Sequence, residues 1–131
     1  MAAWRGAYVD GYMSAIEWRP VAGSLGKPGP GVAWTRARLP LVAGEETSPF
    51  ARAALVADSG SGVSASVDFS KWHCINVDLT VSLHRDPAGE WLLLDSVTIT
   101  DPGGSGLAVT RLADQNGAVG WGLQTLVIYR R

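Results

Sequence analysis

Ser48-Pro-Phe-Ala-Arg-Ala-Ala-Leu-Val-Ala-Asp58 is the stretch that decides the fold. Serine at the N-cap and proline at the first helical position form a helix start. Between Pro49 and Asp58 the only charged residue is Arg52, and a helix apolar on nearly all sides is a buried one. Ser59-Gly-Ser-Gly62 follows, with glycine available for the left-handed cap that ends a helix.

Outward from this helix the chain reads as strand. On the N-terminal side, residues 7–19 and 32–42 are two strand candidates joined by the loop Gly23-Ser-Leu-Gly-Lys-Pro-Gly-Pro-Gly31, which predicts a hairpin. On the C-terminal side, Ile75, Val77, Leu79, Val81 and Leu83 alternate with Asn76, Asp78, Thr80, Ser82 and His84, the pattern of a strand with one apolar face. Strands over 91–100, 106–112 and 119–129 follow, separated by Asp86-Pro-Ala-Gly89, Asp101-Pro-Gly-Gly104 and Asn116-Gly117. The last of these is a type I′ hairpin signal. Residues 63–72 carry no clear pattern. Tight turns make the strands antiparallel, and a lone apolar helix must be covered by their sheet. The expected class is α+β: a six-stranded antiparallel sheet curled around one central helix, in a single domain spanning 1–131. Such a sheet leaves an edge short of cover. The strand 75–85 is the expected dimer edge, with Trp72 buried at the contact.

A chain of 131 residues, 47% hydrophobic and 18% charged, can build one core. Eleven basic and twelve acidic residues give a net charge of −1, without the basic stripe of a nucleic-acid binder. No run reaches the length of a membrane span, and the first six residues show no leader-like apolar region. A single cysteine, Cys74, excludes an internal disulfide and a cysteine-based zinc site. A reducing, cytoplasmic location is therefore expected, with no metal and no cofactor.

Three polar residues stand out against this apolar background. Asp58 ends the helix, where the macrodipole is negative and an anion is disfavoured, the setting of a general base; alternatively it is an exposed residue opening the Ser-Gly turn. Gln124 shares a strand face with Leu126 and Ile128. A buried amide needs partners, which a water, a substrate carbonyl or the neighbouring backbone can supply. Asn76 opens the alternating strand, and its alternative is a solvated face. Asp68 and His73 form a weak acid–base pair, and His84 reads as a surface residue. Neither a phosphate-binding loop nor a nucleophile elbow is present.

Ala57-Asp-Ser-Gly-Ser-Gly62, Ile75-Asn-Val-Asp-Leu-Thr-Val-Ser-Leu-His-Arg85 and Gly89-Glu-Trp-Leu-Leu-Leu-Asp95 together resemble the acyl-CoA thioesterase-like family. The similarity is to the C-terminal half of these double-hot-dog proteins, and it runs from about Tyr8 to the C-terminus. The closing Gly122-Leu-Gln-Thr-Leu126 resembles the family's last strand. The resemblance implies a hot-dog fold and hydrolysis of an acyl thioester, carried by CoA or by an acyl carrier, through a water activated by Asp58. Gln124 would assist, and Asn76 stands where the family has a threonine. Phe50, Leu55 and Trp72 are the expected acyl-binding residues. The family joins two hot dogs in one chain, so a homodimer or higher oligomer, or a heterodimer with another hot-dog chain, is expected. The rival expectations are a non-hydrolytic acyl- or polyketide-binding enzyme of dehydratase or cyclase type, and a catalytically silent partner subunit.

Overall fold

The computed structural model describes residues 10–25 and 27–131. The first residues of the expected N-terminal strand, Ala7 to Val9, lie outside that range, as do the six residues before them. The described chain opens with a single helical turn, α1 (Tyr12–Ala15), and only then enters β1 (Ile16–Ala22). Gly11, at φ +66°, makes the turn before it. β1 pairs antiparallel with β2 (Gly31–Ala37) in the expected hairpin. α2 (Pro49–Ala57) starts at Ser48, whose hydroxyl accepts the Ala51 N–H, with Pro49 in the first turn.

The rest is sheet: β3 (Trp72–Asn76), β4 (Thr80–Leu83), β5 (Leu92–Thr100), β6 (Ser105–Asp114) and β7 (Gly117–Arg130). The order is β1-β2-β5-β6-β7, and both β3 and β4 lie along the outer side of β7. β3 takes the Leu126–Arg130 half of β7 and β4 takes the Gly120–Leu123 half. The sheet curls around the helices, as expected. Its inner face buries Ile16, Ala33, Leu94 and Leu112 against Ala53 and Val56 of α2.

Besides α1, four features depart from the sequence reading. First, the helix is not buried on nearly all sides: of α2 only Ala53, Val56 and Ala57 are buried, and Phe50 is exposed. Second, no left-handed glycine stops it. Asp58 stays right-handed, and after Ser59 the chain makes a further turn, α3 (Gly60–Val63). Gly60 serves close packing instead, since a Cβ there would collide with the Thr110 hydroxyl. Third, the hairpin between β6 and β7 pairs Asp114 with Gly117, so its central residues are Gln115 and Asn116. Only Gly117 has positive φ, whereas a type I′ turn requires it at both central positions.

The fourth departure is the strand expected at 75–85, which is two strands. Asn76 pairs with Leu126 and Thr80 with Leu123. Four steps on one side therefore match three on the other, a one-residue bulge. The Asp78 carboxylate fills the gap by accepting from the N–H and the hydroxyl of Thr125. One inserted residue exchanges the two faces of a strand. Leu79, Val81 and Leu83 face the core, but Ile75 and Val77 are exposed. Cys74 packs inward and Asn76 is half-buried.

An ion pair ties the loop after β4 to the β6–β7 hairpin. Arg85 donates two hydrogen bonds of 2.7 Å to the Asp114 carboxylate. Asp114 also accepts from the Ala88 and Asn116 N–H groups. The Arg85 guanidinium, helped by these N–H donors, holds the Asp114 carboxyl well below the usual carboxylate range. A lowered native pKa gives stability that is complete above the unfolded value of about 4 and is lost as pH falls below it. Thermal melts of Asp114→Asn should show a Tm lower by roughly 5–10 °C at neutral pH. That deficit should shrink as both proteins are melted at successively lower pH below 4.

Candidate active site

Asp58, Asn76 and Gln124 come from three elements and meet at one place. Asp58 ends α2. Its Oδ1 accepts from Asn76 Nδ2 at 3.0 Å and from Gln124 Nε2 at 3.4 Å. No hydrogen bond among the described residues engages Oδ2, and the residue is exposed rather than buried. Asn76 reaches the carboxylate because the bulge turns it inward, and its amide also lies 3.4 Å from the Asp78 carbonyl.

Gln124 is 1% exposed, and its amide is satisfied at both ends. Nε2 donates to the Asp58 carbonyl at 2.9 Å, and Oε1 accepts from the Ser61 N–H at 3.0 Å. The backbone alternative for this amide is therefore the one observed. Gln124 clamps the junction of α2 and α3 onto β7 and in doing so sets the carboxylate. Beneath the junction lies a layer of buried hydroxyls. Ser96 and Thr110 are 2.9 Å apart, and Ser64 bonds both the Gly60 carbonyl and Thr98.

Tyr12 is the residue that the sequence reading missed. Its hydroxyl donates to the Leu55 carbonyl at 2.9 Å and lies 2.8 Å from Ser59 Oγ. The carbonyl can only accept, so the phenolic proton goes to Leu55 and Ser59 donates to the phenol oxygen. One of the open carbonyls at the end of α2 is thereby satisfied. Burial pushes the Tyr12 phenol up, and the Asp58 charge adds to this against the Ser59 hydrogen bond. Gly11 is the only sequence signal: it interrupts the strand pattern in which Tyr12 was read.

The other expected residues do not converge on Asp58. Phe50 lies at the opposite end of α2, about 12 Å along the helix axis. Leu55 is one turn before Asp58 and half-buried against the core. Trp72 lines a cleft of about 280 Å³ with Val67, Ile128 and the loop between β5 and β6. Two further tryptophans are engaged elsewhere: Trp18 donates to the Met13 carbonyl, and Trp91 lies under the Arg19 guanidinium at 4.1 Å. His73 lies against Tyr129 while Asp68 accepts from Ser70. Among the described residues no cluster of His, Cys, Asp or Glu could hold a metal.

This fold is shared with solved structures, acyl-CoA thioesterases among them. Acyl-CoA thioesterase II TesB2 from Mycobacterium marinum is 20% identical at a TM-score of 0.65, with 91% of this chain and 51% of that one covered. AziG of S. sahachiroi is 14% identical at a TM-score of 0.66 and is covered completely by 95% of this chain. Streptococcus mutans smu.793, solved bound to acetyl CoA, is 12% identical at a TM-score of 0.62, with 88% and 90% covered. The chain thus spans about half the length of the TesB-type enzymes it matches. The molecule is a hot-dog domain. Residues 1–128 match the acyl-CoA thioesterase C-terminal domain, and the chain belongs to that family. No curated protein matches it.

Gln124→Leu removes the clamp while keeping the volume. It strands the Ser61 N–H and the Asp58 carbonyl, a loss on the order of 2 kcal/mol. The expected outcome is a Tm lower by roughly 5–10 °C in a melt followed by circular dichroism.

Proposed function

We propose that this chain hydrolyses acyl thioesters, with Asp58 as general base. The observation that carries this reading is the state of the Asp58 carboxylate. One oxygen is held by two side-chain amides, and the other accepts no hydrogen bond among the described residues, on a residue that is exposed. A water on Oδ2 gives its proton to Asp58 while its oxygen attacks the thioester carbonyl carbon. Collapse of the tetrahedral intermediate breaks the C–S bond, and the proton held by Asp58 passes to the leaving thiolate. Asn76 fixes the carboxylate in place of the family's threonine, and Gln124 holds the backbone that carries it. Family membership and the acetyl CoA in smu.793 favour CoA as the carrier.

Acyl-chain contacts are assigned to Leu55, one turn before the base, and to Trp72 at the cleft beside β3. Phe50 is exposed at the far end of α2. The free edge formed by β3 and β4 is the seam for a second hot dog, either another copy or a different chain. From the His84 N–H bond to the Val119 carbonyl, the ladder alternates so that the Val81 N–H faces that free edge. The single Cys74 is consistent with a reducing cytoplasm.

Purified protein should release free acid and thiol from acyl-CoAs. Asp58→Asn should lower kcat on the order of 10²–10⁴-fold, with an unchanged circular dichroism spectrum. Acyl-CoA that is bound but left intact would move the assignment to the non-hydrolytic reading. Activity that appears only on mixing with another hot-dog chain would make this the partner subunit. Val81→Pro should dissociate the edge dimer without unfolding it.

A further inference from the structure

The turn that carries Asp58 does not close as an α-helix would. In a continuing α-helix the Ser59 N–H would go to the carbonyl four residues back, that of Leu55. It goes instead to the Val56 carbonyl, three residues back, at 3.0 Å. Asp58 stands at φ −61° and ψ −19°, and Ser59 at φ −83° and ψ −1°. These ψ values lead out of the α range through that of a 3₁₀ ending. The Leu55 carbonyl accepts the Tyr12 hydroxyl in place of the N–H, at 2.9 Å. The same phenol oxygen lies 2.8 Å from Ser59 Oγ. One side chain therefore ties residues 55 and 59, which bracket Asp58, and the Asp58 charge acts on its phenol. Tyr12 leads into β1, at one end of the strand order, whereas Asn76 closes β3, at the other. The curl of the sheet brings both ends to the end of α2.

We propose that Tyr12 is a positioning residue for Asp58: by occupying the Leu55 carbonyl it holds the turn in its tighter register and so aims the carboxylate at Asn76 and Gln124. The inference rests on Asp58 as the general base. The Ser59 N–H has one proton to give and two carbonyls within a turn's reach. An α-helical carbonyl points along the helix axis, so a phenol bonded to Leu55 competes with that N–H for the same position. A 3₁₀ turn advances about 120° per residue and an α turn about 100°. At the roughly 5–6 Å radius of a helix side chain, a relapse of one residue to the α register moves the carboxylate by roughly 2 Å. The 3.0 Å bond from Asn76 to Asp58 does not survive such a swing. Gln124 does not prevent it. Its amide holds the Asp58 carbonyl and the Ser61 N–H, both on the C-terminal side of the Asp58 Cα. Tyr12 holds the backbone on the N-terminal side, and the hydroxyl rather than the ring makes that tie.

The test is Tyr12→Phe, which removes the hydroxyl and keeps the ring. Steady-state kinetics on an acyl-CoA should show kcat lower by roughly 10–100-fold with KM unchanged, the effect of a catalytic group displaced by an ångström or two. The Asn76 side-chain amide, followed by NMR, should move from its wild-type position toward that seen in Asp58→Ala. A cap that served stability alone would lower Tm and leave both readouts in place. A folded Tyr12→Phe with wild-type kcat, or with the Asn76 amide unmoved, therefore overturns the proposal. So does a raised KM at unchanged kcat, which would make the ring a substrate contact. If the wild type releases no free acid and thiol, the hydrolytic reading fails. The Asn76 amide then decides by itself whether Tyr12 sets the carboxylate. Should Tyr12→Phe fail to fold, NMR couplings across the hydrogen bond in the wild type decide. A Ser59 N–H coupled to the Val56 carbonyl supports the proposal, and one coupled to the Leu55 carbonyl overturns it.

Discussion

The arrangement around Asp58 depends on one buried amide. Gln124 projects from the longest strand into a space where an unpaired donor or acceptor would cost on the order of 1–3 kcal/mol. It is satisfied here by the backbone at Asp58 and at Ser61, which comes down onto the sheet. That requirement fixes where α2 ends, turns the chain into α3 and demands glycine at position 60. Helix propensity does little of this. α2 is nine residues long and α3 four, both too short to persist by themselves. The carboxylate is placed by the sheet, through an amide, rather than by the helix that carries it.

A second constraint acts at the sheet edge. Without the extra residue between Asn76 and Thr80, an inward Val81 would put Asn76 on the outer face and Ile75 on the inner one. The bulge reverses this for the β3 half alone, and Asp78 repairs the broken ladder. Backbone hydrogen bonding and the polar site are therefore settled by the same inserted residue. A bulge beside a candidate catalytic group is a common way of re-aiming one side chain without moving a sheet.

The fold was largely legible because its signals are local. The Ser48-Pro49 start, the Gly-Pro loop at 23–31 and the β5–β7 turns each specify a boundary by chain chemistry. The residues Asp58, Asn76 and Gln124 were legible as polar side chains on apolar patterns, and resemblance to a family joined them. Their partners were not. Unbroken alternation from Ile75 to Leu83 gives no sign that one residue falls out of register, because Asp78 is as good a strand-face residue as Thr80. Tyr12 satisfies a carbonyl 43 positions away, and periodicity carries no information about such a pairing. The left-handed glycine expected within Ser59–Gly62 was a sound inference from composition. It failed because glycine also serves where no Cβ fits, and only the opposing Thr110 distinguishes the two uses.

The α3 turn has a dynamic consequence. Three of its four residues are glycine or serine, and side-chain bonds from Gln124 and Ser64 pin it to the sheet. Gly60 and Val63 are buried, and Val63 belongs to the apolar core with Ala33 and Leu94. The turn that fixes the carboxylate is therefore held to the sheet by packing as well as by hydrogen bonds. The Ser61 amide hydrogen, given to the Gln124 side chain, then exchanges with the openings of the sheet and not with the fraying of a surface loop.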